Sequence, residues 1–225
     1  MAQDSSFTDR LIKKLKERFT LKFAYEAPRI AETLVERANQ STTRQLQSSL
    51  RDAGLEITLK SDFFAGATRE VMQKHIAYNV NLIKRIPARF LDQVYDDVEK
   101  ALGPNGNGLQ DLIPAMEKRY ADNSRWARHV ALDQTRKAYN DLTAEKMQSI
   151  DQDEYEWIHS AGSDHPREYH LKRWPDGLNG GRFKLSDPPI IDDKTGQRGK
   201  PGDLPFCRCR MRPIVRFKPN AAPSR

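Results

Sequence analysis

Along the first 150 residues apolar side chains recur every three or four positions, and beyond them every second one, so the chain predicts helices first and short strands afterwards. Phe7, Leu11, Leu15 and Phe19 stand four apart and predict one face of an amphipathic helix whose other side carries Lys13, Lys14 and Lys16. A second helix is expected to begin near Pro28, because proline is tolerated in a first turn. Its apolar positions are Ile30, Leu34, Ala38, Leu46, Leu50 and Ala53, and Gly54 ends it. Between Asn39 and Ser49 the pattern is polar on every side, which reads as a solvent-bridging helix or a break. A third helix is expected over 68–85 with Val71, Ile76, Val80 and Ile83 inward, and Pro87 predicts a kink or a restart carrying Phe90, Leu91, Val94, Val98 and Leu102. Gly103 to Gly108 predicts a loop. After it Leu109, Leu112, Ile113, Met116 and Tyr120 share a face, and a further helix from Asp122 to Met147 brings Ala127, Ala131, Gln134, Ala138 and Leu142 together.

Most prolines and glycines lie beyond Ile150, where long helices cannot persist. Tyr155, Trp157 and His159 alternate with Glu156 and Ile158, Phe183 and Leu185 follow a Gly-Gly turn, and Phe206 to Arg212 alternates strictly. In that last segment Cys207, Cys209 and Met211 point one way and Arg208, Arg210 and Arg212 the other. The expected class is α+β: long N-terminal helices, then a small C-terminal domain of short strands, turns and loops packed on an Ala-rich helix. The expected segments are an N-terminal helical arm or hairpin (1–60), a helical region (61–150), a strand-and-loop part (151–216) and a basic tail (217–225).

At 225 residues and 25.9 kDa the chain can bury a sizeable core, while 31% charged residues and a mean hydropathy of −0.79 leave some of it as arm or tail. No apolar run approaches the roughly 20 residues of a membrane helix, and the start holds Asp4 and Asp9 in place of a signal-peptide core, so neither a membrane protein nor a conventionally secreted one is expected. The net charge of +7 is unevenly placed. From Lys194 to Arg225 there are nine basic residues and one acidic, Asp203, while the remainder sums to −1. Such a cluster attracts polyanions without reading sequence, or keeps a solvated tail soluble. Cys207 and Cys209 are the only cysteines, too few for a disulfide scaffold.

An ordered set of residues carries a family resemblance: Arg128 to Tyr139 (RHVALDQTRKAY), Glu156-Trp157-Ile158, His165-Pro166-Arg167-Glu168-Tyr169-His170, Asp176-Gly177, Pro201-Gly202 and Cys207-Arg208-Cys209. In this order, over about residues 65–216, the chain resembles the phage head morphogenesis family, the Mu F-like minor head proteins of tailed bacteriophages. The resemblance makes Trp157, Arg167, His170, Gly177, Cys207, Arg208 and Cys209 a structural motif. It implies a minor capsid protein acting in procapsid assembly at or near the portal, and in packaging or ejection of the genome. The implied partners are portal, capsid or scaffold proteins, with non-specific DNA contact and neither membrane nor small-molecule substrate. The implied location is the virion, at the head interior or portal vertex, after assembly in host cytoplasm. The chain departs from relatives that have cysteines in the Arg-x-x-His region or a His just before Cys-x-Cys; here Pro166 or Arg167 and Leu204 or Pro205 stand there. It also lacks a long C-terminal extension, so a fused effector domain is not expected.

His165, His170, Cys207 and Cys209 are four zinc-compatible ligands, but Cys-x-Cys is closer than the two-to-four-residue separation of familiar structural sites. A Cys207–Cys209 disulfide is disfavoured because a strand holds alternate Cα atoms near the outer limit of about 6.8 Å. The favoured reading is two reduced thiols in a core-facing strand, with no cofactor. Arg167 is expected to pair with Asp164 or Asp176, and His170 to hydrogen-bond a loop backbone. Arg210, Arg212, Arg216 and Lys218, with Lys13, Lys14 and Lys16, are the expected contacts to DNA or an acidic partner, competing with internal pairing to the acidic stretch Asp151 to Glu156. No enzymatic activity is expected. The alternative from another class is a DNA-binding or metal-dependent nuclease accessory factor, which would need an acidic cluster for magnesium that the sequence does not display.

Overall fold

The computed structural model describes residues 2–60, 62–160 and 166–216. Three long helices come first: α1 (Ala2–Asp52), α2 (Ala65–Leu102) and α3 (Leu109–Gln148). Strand β1 (Glu154–Ile158), the short helix α4 (Glu168–Leu171) and strands β2 (Arg182–Lys184), β3 (Ile190–Asp192), β4 (Gln197–Arg198) and β5 (Arg210–Pro213) follow. The class is α+β, with long helices ahead of short antiparallel strands.

Each long helix runs through a proline, at Pro28, Pro87 and Pro114. An interior proline costs about 3 kcal/mol through one lost hydrogen bond and a ring clash. Burial on either side outweighs it: Ala27 and Ala31 flank an exposed Pro28 and are themselves fully buried, and Leu91 is buried one turn after Pro87. The helix start expected at Pro28 is therefore corrected, and of the kink or restart expected at Pro87 the restart is excluded by a helix continuous from Ala65 to Leu102. The stripe of α1 also differs from the four-residue series. Ile12, Ala27, Ala31, Val35, Ala38, Thr42, Leu46 and Ser49 are buried, whereas Phe7 is 61% and Leu11 47% exposed. A strict spacing of four drifts about 40° per step round a helix of 3.6 residues per turn, so Phe7, Leu11, Leu15 and Phe19 cannot all follow one stripe.

By contacts the chain forms two compact units, Met1–Leu34 with Lys74–Ala131 and Val35–Gln73 with Leu132–Arg225. In the first, which is helical, Lys16 pairs with Asp92, the Tyr95 hydroxyl donates to Asp9 at 2.9 Å, and Arg119 forks onto Asp97, with Nη2 at 2.8 Å from Oδ1. The Arg89 guanidinium lies 4.8 Å over the Trp126 ring.

The second unit contains both sheets. Strands β2, β1 and β5 form one antiparallel sheet in that order, and β3 pairs with β4. Tyr155 and Trp157 leave one face of β1, with Tyr155 opposite Phe183 and Trp157 opposite Met211. They meet Ala144, Met147, Leu178, Ile191, Leu204, Cys207 and Cys209 in a single core. Trp157 is fully buried, edge-on to the His170 ring at 5.2 Å and the Phe183 ring at 6.4 Å. The Phe206 to Arg212 segment departs from a continuous strand, since Phe206 has φ 57° and pairing begins only at Arg210.

Polar side chains of α3 fix the other elements. Asn140, fully buried, donates from Nδ2 to the Cys209 carbonyl and accepts from the Met211 N–H, both at 3.0 Å. Lys146, 1% exposed, sends its ammonium to the Asn39 carbonyl and the hydroxyls of Thr42 and Thr43, each at 2.7 Å. The polar stretch Asn39 to Ser49 is thus neither a break nor a solvent bridge. It is helical, and its polarity receives a buried lysine.

Candidate functional site

The approach of Cys207 to His170 begins with the turns on either side. Asp133 of α3 accepts the Phe206 N–H at 2.7 Å and holds the left-handed residue that redirects the chain into Cys207. Gly202, at φ 91°, packs where a Cβ would lie 2.8 Å from the Asn140 amide nitrogen, so the turn closes against α3 only without a side chain. Gly177 permits a similar approach, because a Cβ there would stand 2.5 Å from the Tyr169 carbonyl oxygen and so obstruct the turn following α4. Arg167 donates to the Pro205 carbonyl at 3.0 Å, tying the α4 segment to the Cys207 loop. The loop thus offers a carbonyl where Arg167 reaches it, while Asp164, one of the two carboxylates expected to pair with Arg167, lies outside the described residues.

His170 Nε2 lies 2.8 Å from the Ile191 carbonyl. A carbonyl can only accept, so Nε2 carries the proton, and in the neutral ring the Nδ1 lone pair faces the sulfurs. Cys207 Sγ and Cys209 Sγ each lie 3.6 Å from that Nδ1. All three ligand atoms fall within 4.8 Å of one another, and all three residues are buried. His159, half-buried just after β1, places its own Nδ1 3.6 Å from Cys209 Sγ. Its backbone N–H is held by Asn179 Oδ1 at 3.1 Å.

The electrostatics are asymmetric. A hydrogen bond from Cys209 and another with His170 pull the Cys207 thiol well below its ordinary value, against burial, while the same shared proton and burial push Cys209 up. Burial lowers His159. The Trp157 indole nitrogen is buried without a hydrogen-bond partner among the described residues, and its N–H favours a thiolate on Cys209. Of the four zinc-compatible residues in the sequence, the fold assembles His170, Cys207 and Cys209; His165 lies outside the described residues, as does Asp164. The sequence reading did not count His159 as a ligand, because it looked like one more alternating strand position.

A second feature is a cleft of about 590 Å³ within the same unit. Arg37, Arg136, Arg210 and Arg212 line it together with Ser41, Gln45, Ser48 and Ser49, and Asp52 is the one acidic residue of that lining. Burial and the neighbouring Arg210 and Arg208 charges lower Arg136, the response of a cation held among other cations. Arg210 is exposed and Arg208 half-buried. Arg212 pairs with Glu156, its cross-strand partner, and Arg216 with Glu154 at 2.7 Å. The antiparallel register thus sets the basic end of the chain against the acidic strand. Arg216, expected as a free contact, is internally paired, and Lys218 lies outside the described residues. Lys13 and Lys14 are exposed, while Lys16 is tied to Asp92. Sequence reasoning missed Arg37 and Arg136, which reach the cleft from different helices. It also missed Asp133, Asn140 and Lys146, whose signal was polar residues at helical spacing on the apolar face of α3.

A family model described as Phage Mu protein F like protein matches residues 92–212. A curated relative from Haemophilus influenzae (strain ATCC 51907 / DSM 11121 / KW20 / Rd), described as an uncharacterized protein, is 25% identical over 191 residues, which is 84% of this chain and 40% of that protein. The chain spans about two fifths of that relative's length. No solved structure matches the chain.

Proposed function

The chain belongs to the Phage Mu protein F like family, a structural family of phage head morphogenesis, and from that premise we propose that it is a minor head protein of a tailed double-stranded DNA phage. Its role is assembly: it joins the procapsid at or near the portal during growth in host cytoplasm and stays in the virion, where it assists packaging or ejection of the genome. The observation that carries this reading is the extent of the match. It takes in the last part of α2, all of α3 and nearly all of the strand-and-loop region, including every residue of the core around Trp157. No helix among the described residues is long and apolar enough to cross a membrane.

The arginine cleft supplies a contact for the phosphate backbone of packaged DNA or for an acidic segment of scaffold. Arginine forks onto phosphate or carboxylate alike, and Arg37, Arg136 and Arg210 give the cleft charge without a base-reading element, Arg212 being paired with Glu156. Mass spectrometry of purified virions and empty procapsids tests the assembly role: the protein is expected in procapsids and in filled heads, and absence from both overturns the reading. Filter binding to duplex DNA tests the contact. Binding is expected to be sequence-independent, to fall steeply between low and moderate salt, and to weaken when Arg37 and Arg210 are both changed to Glu. Cleavage of the DNA with added magnesium or manganese would instead favour a nuclease.

A further inference from the structure

The cluster around His170 goes beyond any assembly role, and its geometry is that of a ligand set. Zinc bonds of about 2.3 Å to sulfur and 2.0–2.1 Å to nitrogen, opened to the tetrahedral angle, place sulfur and nitrogen about 3.5–3.6 Å apart. The distances from His170 Nδ1 to both sulfurs, and from His159 Nδ1 to Cys209 Sγ, are each 3.6 Å. An S–H···N hydrogen bond can have that length too, but one nitrogen lone pair accepts one thiol proton, and Nδ1 of His170 faces two sulfurs equally. A cation between them satisfies the lone pair and both sulfurs together.

We propose that His159, His170, Cys207 and Cys209 form a structural zinc site that staples the closing Cys-Arg-Cys segment to the α4 segment and the end of β1. The surroundings are built for it. The proton of His170 is fixed on Nε2 by the Ile191 carbonyl, the second contact that ligating histidines habitually make. Two thiolates balance the charge of a divalent ion, so the loaded site is neutral within a core where Cys207 is 3% and Cys209 2% exposed. The Trp157 indole nitrogen, buried without a hydrogen-bond partner among the described residues, belongs to the same core as both cysteines. Two sulfurs and two imidazole nitrogens select zinc over the hard cations magnesium and calcium. On binding, each thiol loses its proton to solvent and each sulfur donates a lone pair; no oxidation occurs.

The site is independent of the assembly role, and its test has no readout in phage growth. The full chain, purified under reducing conditions without a histidine tag, is analysed for metal by mass spectrometry and then stripped and titrated with cobalt(II). One zinc per chain is expected, and cobalt is expected to give the intense d–d bands of a tetrahedral site with a sulfur-to-cobalt charge-transfer band. Cys209→Ser is expected to lose stoichiometric zinc and that band. His159→Ala, at a half-exposed position where folding is safer, is expected to weaken cobalt binding and change the d–d bands while the helical circular dichroism is unchanged. A reduced chain that carries no zinc and gives no charge-transfer band with cobalt overturns the proposal. So does zinc retained in full by Cys207→Ser/Cys209→Ser, because the metal then sits elsewhere. An unchanged cobalt spectrum and affinity in His159→Ala overturns the four-ligand assignment.

Discussion

In the helical unit ties such as Lys16–Asp92 and Tyr95–Asp9 lie where water reaches them, whereas the unit that holds the sheets has, beside exposed pairs such as Arg216–Glu154, several that are buried. Lys16–Asp92 and Tyr95–Asp9 join exposed side chains, and Arg119–Asp97 is only partly covered. Asn140, Lys146 and His170, by contrast, are each at most 2% exposed and each bonds a backbone group at least 21 residues away. The difference matters because a solvated ion pair adds about 0–1 kcal/mol and tolerates replacement by water. A buried polar group leaves its partner unsatisfied when removed, and so specifies one arrangement of loops over others. Short strands with little area of their own need that specification; long helices burying a continuous stripe do not.

The comparison is broken most directly at Trp157. Trp157→Ala is expected to cost about 3–5 kcal/mol in denaturant unfolding, because a fully buried ring in contact with His170 and Phe183 leaves a cavity. A cost below 1 kcal/mol would mean that this core is not close-packed. Asn140→Leu is expected to cost about 2–4 kcal/mol, since the Cys209 carbonyl and the Met211 N–H both lose their partner. Loss of backbone amide protection from hydrogen exchange at Met211 would locate the damage.

Lys146 sharpens the contrast through its sign. Burial pushes the lysine down to about 8 from its ordinary 10.5. Between these values the unfolded chain binds more protons than the folded one, so stability is expected to rise with pH across this window and to be lowest below about pH 8. The gain is at most about 2 kcal/mol after allowance for solvent screening. Lys146→Met is expected to abolish that rise and to leave stability at pH 7 unchanged or higher. The Thr42 and Thr43 hydroxyls still bond the Asn39 carbonyl, at 2.8 and 3.1 Å, and the thioether packs on Phe64 where the ammonium lay. Urea melts of both proteins from pH 7 to 10.5 check it, and a parallel pH dependence in the two would be the contrary result. The smallest effect is expected at Lys16→Ala, within about 1 kcal/mol and shrinking with salt; a larger loss would mean that the helical unit also depends on charged keys.

How far the candidate site could be read from the sequence follows from what each residue is paired with. The alternation of Tyr155 and Trp157 was visible because a strand exposes its faces with period two; Cys207, Cys209 and Met211 are buried as their alternation suggested, although only Met211 lies in a strand. The Pro205 carbonyl as the partner of Arg167 was not, because a guanidinium donates to a carbonyl or a carboxylate on any segment that folding brings near, whereas the acidic stretch that pairs with Arg216 was among the expected alternatives. His159 read as a strand residue and stands beside Cys209, 50 positions away. The prolines misled for a related reason. Local rules set the cost of Pro28 and Pro87, but whether a helix absorbs it depends on burial by distant residues.

By itself the sequence determined that long helices come first and short strands follow, the loop at Gly103–Gly108 and the end of α1 by Gly54, because these rest on periodicity and backbone conformation carried by neighbouring residues. It also carried, in the ordered Trp157, Arg167, His170 and Cys-Arg-Cys set, the family to which the chain belongs. Only the tertiary structure decided which stripe of α1 is buried, that its polar middle receives Lys146, that His170 meets Cys207 and Cys209, and that His159 stands beside Cys209. Those are pairings across 37 to 107 residues, and no local spacing encodes which of many chemically equivalent partners will be within reach.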